Sequence, residues 1–164
     1  MKQTTCRRRA IATLLPLALA AAMLARAASA SSLPLELTVT KWSFTSFACD
    51  PANPLHCEGT ATGEVHSNLS QTPGTVYWTL GIDFTPAPCV DIDETAVFTF
   101  DTGTITTAST HRNCQATIRP GPWADATFTI TGGTRTFAGA TGGGNEHNSI
   151  GNNSAYVYNG TINT

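Results

Sequence analysis

The chain has 164 residues and a formal net charge of −2, yet all 11 acidic residues and only four basic ones (Lys41, Arg112, Arg119 and Arg135) lie after residue 30, which leaves that part at −7. So acidic a body repels polyanions and anionic lipid and has no basic stripe to track phosphates, which excludes nucleic acid as an expected partner. About 134 residues follow the first 30, enough for one domain with its own core and too few for two ordinary ones.

Residues 1–30 carry the pattern of a secretory signal. Lys2, Arg7, Arg8 and Arg9 form a basic start, Ala10 to Ala25 an apolar run, and Ala28-Ser29-Ala30 a small-residue cleavage site. The apolar run is 16 residues long and interrupted by Pro16, whereas a spanning helix needs roughly 20 apolar residues. Removal is the expected outcome, a retained anchor its alternative, and no membrane span is expected in the mature chain. Cys6 leaves with the signal. The remaining 31–164 form the predicted domain, placed in the periplasm or outside the cell.

Four cysteines remain: Cys49, Cys57, Cys89 and Cys114. An even number in an exported chain implies disulfides, and pairing Cys49 with Cys57 and Cys89 with Cys114 staples two local excursions. A zinc site using His56, His66 or His111 is the competing reading, but neither cysteine spacing is the short one that fixes a tetrahedral centre.

No later segment shows a helical apolar period, so the domain is predicted to be all-β. Leu35, Leu37 and Val39 alternate with polar residues in a first strand ending near Trp42 or Phe44. Phe47 to His56, with two prolines, is expected to be a stapled loop. Glu58 to Ser67 predicts a bent or bulged strand. Thr75 to Phe84 predicts a strong one, with Val76, Trp78, Leu80, Ile82 and Phe84 on one face and Tyr77, Thr79 and Asp83 on the other.

Thr85 to Asp93 is expected to connect, and Thr95 to Phe100 to resume strand with Phe98 and Phe100 together. Asp101-Thr102-Gly103 turns the chain into Thr104 to Thr107, followed by a loop with His111 and Arg112, a strand at Cys114 to Ile118, and the proline loop Arg119 to Trp123. Ala126 to Thr131 alternates Phe128 and Ile130 with threonines. Gly132 and Gly133 reverse the chain, Thr136 to Thr141 returns with Phe137 as its anchor, Gly142 to Asn153 is a flexible connection, and Ala155 to Ile162 closes the domain. Eight or nine antiparallel strands close as a barrel or fold as a sandwich.

The hairpin Gly132-Gly133-Thr134-Arg135-Thr136-Phe137 and the glycine run after it resemble the GGTGxF signature of the allene oxide cyclase and dirigent barrels. The resemblance covers about Phe98 to Ile162, with the phenylalanine strand, the Asp101-Thr102-Gly103 turn, the GGT hairpin and an aromatic last strand in the expected order. It implies an eight-stranded antiparallel barrel, often trimeric in plant members, whose interior receives an apolar molecule. Arg135 stands where the family usually has glycine, so the turn must tolerate or use a side chain there. The N-terminal half does not align, and no catalytic residue carries over.

The residues offer little recognisable chemistry. There is no GxSxG elbow, HExxH, EF-hand loop or phosphate loop with its lysine, and no cofactor is expected. Asp91, Asp93 and Glu94 form the densest acidic cluster, which suits calcium or, more blandly, a solvated loop. Glu146 and His147 suit a lid or general base, or an exposed loop. His111 and Arg112 suit a rim that holds a carboxylate, or a surface pair.

The leading expectation is an exported, disulfide-bonded barrel that binds a small apolar or amphipathic molecule without transforming it. Its pocket candidates are Trp78, Leu80, Ile82, Phe84, Phe98, Phe100, Phe128, Ile130 and Phe137, with His111, Arg112, Glu146 and His147 at the rim. A cyclase or isomerase that steers a reactive intermediate by shape is the second reading. A surface interaction protein with a filled core is the third.

Overall fold

The computed structural model describes residues 31–85, 89–113, 126–149 and 155–164, the side chains of His111, Asn113, Asn148 and Ser149 excepted. Period-two alternation dominates the described chain and yields eight strands: β1 (Ser32–Asp50), β2 (Asn53–Ser67), β3 (Gly74–Asp83), β4 (Val90–Phe100), β5 (Gly103–Asn113), β6 (Ala126–Gly133), β7 (Thr141–Ser149) and β8 (Ala155–Asn163). Each strand pairs antiparallel with the next, and β1 pairs with β8, so the sheet is a closed barrel. Closure removes the unpaired edges that an open sheet exposes. The expected all-β barrel is present, and the sandwich alternative is not.

Over the half of the barrel nearer Phe137 the inward face is apolar. Leu35, Leu37 and Val39 of β1, Val65 of β2, Val76 and Trp78 of β3, Phe98 and Phe100 of β4, Ile105 of β5 and Ile162 of β8 belong to one buried cluster. A 3₁₀ turn, Arg135–Phe137, lies across one end of the barrel, where Phe137 packs edge-on against Phe100 at 6.4 Å between ring centroids. This is the capped end. Burial of each large apolar side chain contributes roughly 1.5 to 3 kcal/mol.

Several expected boundaries move. Phe47 to His56 is no loop: β1 continues to Asp50, turns at Pro51-Ala52, and returns as β2. Cys49 and Cys57 face each other across this pair and are bonded, as the spacing suggests. Cys89 is also disulfide-bonded; Cys114, its expected partner, the predicted strand at Cys114 to Ile118 and the proline loop at Arg119 to Trp123 lie outside the described residues.

Val90 to Asp93 is strand, because Val90 and Ile92 extend the alternation of β4 backwards. His111 and Arg112 likewise belong to β5. The expected return strand from Thr136 becomes the 3₁₀ turn, and the described part of the expected flexible segment is β7.

β7 is a strand in spite of its glycines, and the packing explains them. A Cβ on Gly144 would lie 2.0 Å from the Asn159 carbonyl oxygen, and one on Gly160 would lie 2.2 Å from that of Gly143. Only glycine permits so close a crossing of β7 and β8.

Candidate functional site

Two bulges free the second half of β1 from β8. Register shifts fall between Thr40 and Ser43 and between Phe44 and Ser46, and Lys41 has φ 52°, a left-handed value that re-aims the strand. Among the described residues β1 pairs with β8 as far as Val39, and beyond it only with β2, so the second half of β1 is an edge that, with the part of β2 it pairs, itself joined to β3 as far as His56, forms an arm at the end opposite Phe137. The arm carries exposed aromatics. Phe44 is 50% and Phe47 49% exposed, and their rings stack edge-on in a row with Trp42. Trp42 in turn meets Tyr156, and Tyr156 meets Trp78, with centroids 5.3 and 5.4 Å apart.

Below this row the barrel interior turns polar. Glu94 occupies the inward phase of β4 set by Ile92, Ala96 and Phe98, and it is 7% exposed. Glu146 of β7 is 4% exposed. Tyr158, fully buried, donates its hydroxyl to Glu94 Oε1 at 2.8 Å and accepts from Trp78 Nε1 at 3.0 Å. Ser109 Oγ donates to Glu146 Oε2 at 3.4 Å, and the Glu146 and Glu94 carboxyls lie close enough to influence each other electrostatically.

Desolvation dominates the electrostatics here, because burial penalises the ionised form. It pushes the Glu94 carboxyl up to about 7, against the hydrogen bonds from Tyr158 and Trp78. Burial first, and the neighbouring Glu94 second, push Glu146 up to about 8. Burial also raises the Tyr156 and Tyr158 hydroxyls, so both stay protonated. The pair therefore holds a proton at neutral pH and can donate or accept one, two carboxyls in close contact being unable to ionise together cheaply.

The predicted site residues divide between this interior and the outer surface. Trp78, Phe98, Phe100, Phe128, Ile130 and Phe137 pack into the main core, and Ile82 joins a smaller cluster with Cys57, Val90 and Ile92. Leu80 is half-buried between the two, and Phe84, just past β3, is 39% exposed.

Of the rim candidates, Glu146 lies deep inside, and His147, next along β7, is exposed. Arg112 is outside, where its guanidinium grips Asp91 at 2.6 and 2.7 Å, so it is not poised for another carboxylate. That ion pair holds the Asp91 carboxyl below its usual range. His111 faces Ile92 in the register. Gly132 and Gly133 end β6, and Thr134 Oγ1 accepts from the Thr104 amide at 3.1 Å.

Asp93 accepts from Thr110 at 2.8 Å on the outer face. Among the described residues no group of three or more histidines, cysteines or acids is placed to hold a metal. Two concavities lie on this part of the sheet. One, of about 630 Å³, is lined by Thr60, Thr79, Thr95 and Thr110 and also by Glu94 and Ser109; the second, of about 520 Å³, is lined by His56, Asp83, Asp91, Asp93, Thr110 and Arg112.

Sequence reasoning missed Glu94 as an interior group, and Tyr158 and Trp42 altogether. The signal for Glu94 was its phase: it is an even step from Ile92, Ala96 and Phe98.

No family model matches the chain, and no curated protein sequence matches it. Among solved structures, the pterocarpan synthase dirigent protein GePTS1 superposes with a TM-score of 0.54 at 12% identity, over 82% of this chain and 89% of that one. The fold is dirigent-like. A pyocyanin demethylase superposes with a TM-score of 0.49 at 13% identity, over 79% of this chain and 99% of that one. At such identities the likeness concerns the course of the strands. The carboxyl pair of this dirigent-like barrel rests on its own geometry.

Proposed function

We propose that the chain is an exported member of the allene oxide cyclase and dirigent barrels that binds a small amphipathic molecule at its arm end. The observation that carries this reading is the adjacency of two unlike surfaces. Exposed Phe44 and Phe47 give an apolar body something to cover, and the Glu94–Glu146 pair with Tyr158 gives a polar group something to hydrogen-bond. Sites that fix a small ligand combine an apolar lining with a few convergent polar groups in this manner. The signal-like first 30 residues and the Cys49–Cys57 disulfide support an oxidising compartment, periplasmic or extracellular. No described helix is long and apolar enough to cross a membrane.

The test is a titration of the purified protein with 1-naphthylmethanol, followed by tryptophan emission. Saturable binding is expected, weakened about tenfold by Phe44→Ala together with Phe47→Ala, a difference of about 1.4 kcal/mol. If no saturation occurs, the filled interior is only a scaffold and the role lies on the outer face.

A second reading is favoured by the carboxyl pair alone. A buried proton held near neutrality suits general acid–base chemistry, as in an isomerase or cyclase. The dirigent neighbour is described as a pterocarpan synthase, which lends this reading its interest. A change in product stereochemistry when the protein is added to a reactive precursor, lost in Glu146→Gln, supports it.

A further inference from the structure

We propose that the outer surface of β2 to β5 around Gly81 is a groove that binds a neutral oligosaccharide strand. This goes beyond the arm-end reading above and does not depend on it.

The first ground is Gly81. A glycine inside a strand weakens it and often marks a bulge or a close approach by backbone or ligand. No bulge is present here: Gly81 pairs with Glu58 on one side and Asp93 on the other, in a register unbroken from Thr75 to Asp83. Its φ is not left-handed, and the one atom near an added Cβ would be the Asp93 Cβ, at 3.9 Å. Gly144 and Gly160 are crowded by backbone, whereas Gly81 leaves open space between Thr79 and Asp83. That space admits a ligand.

The second ground is the shape and chemistry around it. The concavities of about 630 and 520 Å³ share Gly81, Asp93 and Thr110, so they form one groove. Gly59, Leu80, Glu94 and Ser109 apart, its described lining residues fall in the outward phase of their strands, and none of those is a large apolar side chain. The groove therefore opens outward and is polar. Thr60, Thr79 and Thr95 stand opposite one another in the register, roughly 4.8 Å apart, and the exposed hydroxyls of Thr79 and Thr95 have no partner among the described residues.

A sugar hydroxyl both donates and accepts, and the lining answers both needs. The Glu58 and Asp93 carboxylates beside Gly81 accept, in the stronger, charge-assisted kind of hydrogen bond. Arg112 gives two N–H groups to Asp91 and keeps the others to donate. Tyr77, 45% exposed, is the next outward residue of β3 beyond Thr79, an aromatic body against which the C–H face of a sugar packs. Anions are repelled by the four carboxylates of the lining. No described group of acids and histidines is placed to hold a metal.

The test is calorimetric titration of the purified protein with cellopentaose, chitopentaose and maltopentaose, and with spermine as a cationic comparison. Saturable binding of at least one pentasaccharide is expected, about tenfold or more tighter than spermine, and insensitive to added salt because the ligand is neutral. Gly81→Val fills the gap with a side chain that suits a strand, so the thermal midpoint should hold or rise while sugar affinity falls about tenfold or more. Tyr77→Ala should weaken the sugar about tenfold, and it decides the matter if Gly81→Val does not fold. Failure of all three pentasaccharides to bind folded protein, spermine binding as tight as theirs, or unchanged sugar binding in the folded variant overturns the proposal and leaves the arm-end reading untouched.

Discussion

At the scale of single residues, the buried carboxyls make stability depend on pH in an unusual direction. Glu94 and Glu146 have folded pKa values of about 7 and about 8, above the 4.5 of an exposed glutamate. A raised carboxyl binds its proton more tightly in the folded state, so its contribution is full below pH 4.5 and is lost as pH rises through 7 to 8. Glu64, Asp83 and Asp91, on the outer surface, are shifted downward and act oppositely, losing their small contribution only in acid. The ligand-free protein should therefore melt highest near about pH 5 and lose on the order of 3 kcal/mol by about pH 9. Thermal melts across that range check this, and Glu146→Gln flattens the upper limb. Arg135 gives a second residue-level prediction. Its φ is 53°, so the residue that replaces the family's glycine does sit in left-handed backbone. Its side chain returns one long hydrogen bond, Nη1 to the Asp101 carbonyl at 3.3 Å. Arg135→Gly should stabilise the protein by roughly 0.5–1 kcal/mol in denaturant unfolding, since relief of the strained backbone outweighs glycine's extra chain entropy.

At the scale of elements, β7 and the arm carry the predictions. Gly144 faces Gly160 so closely that an added methyl would run into the β8 backbone at Asn159 and Gly160. Gly144→Ala should cost about 2 kcal/mol or more, by urea unfolding, because backbone cannot yield as a flexible side chain can. The arm is held by the Cys49–Cys57 disulfide, whose loop entropy is worth about 2.6 kcal/mol in the chain-entropy model. Cys49→Ser with Cys57→Ser should lose less than that globally, while amide exchange quickens between Lys41 and Asp50, since that half of β1 has β2 as its one neighbour among the described strands. These two elements also mark where the sequence was hardest to interpret. Alternation in β3 and β6 is strong and placed both strands correctly. In β7 three of the nine residues are glycine and have no side chain to alternate, so Gly142 to Ser149 looked like a loop; its strand character comes from its neighbours β6 and β8. The prolines at 51 and 54 hid the arm for the opposite reason, since its tip needs only a two-residue turn between long strands.

At the scale of the whole molecule, the barrel is built asymmetrically. Its closed eight-strand architecture was legible from strand number and from the hairpin glycines, whereas the polar interior was not, because Glu94 looked like one of three loop acids and Glu146 like a rim residue on a flexible connection. Both become interior residues only once the register joins Ala126 to Glu146 and Glu146 to Tyr158. Register is a long-range property that no local pattern reports. The result is a capped end devoted to packing and an arm end that carries ionisable and exposed aromatic groups. Mutations at the two ends should therefore separate stability from binding. Phe137→Ala removes a buried ring that touches Phe100 and closes the cap, and should cost about 3 to 5 kcal/mol in unfolding. The carboxyl pair lies beyond the core from that cavity, so the variant that remains folded should bind 1-naphthylmethanol unchanged. Phe47→Ala exchanges a ring already half in water and should cost within about 0.5 kcal/mol in unfolding, yet weaken binding. Urea melts paired with fluorescence titrations on the two variants give four numbers, and a loss of binding in Phe137→Ala equal to that in Phe47→Ala would mean that the barrel responds as one body and has no dedicated end.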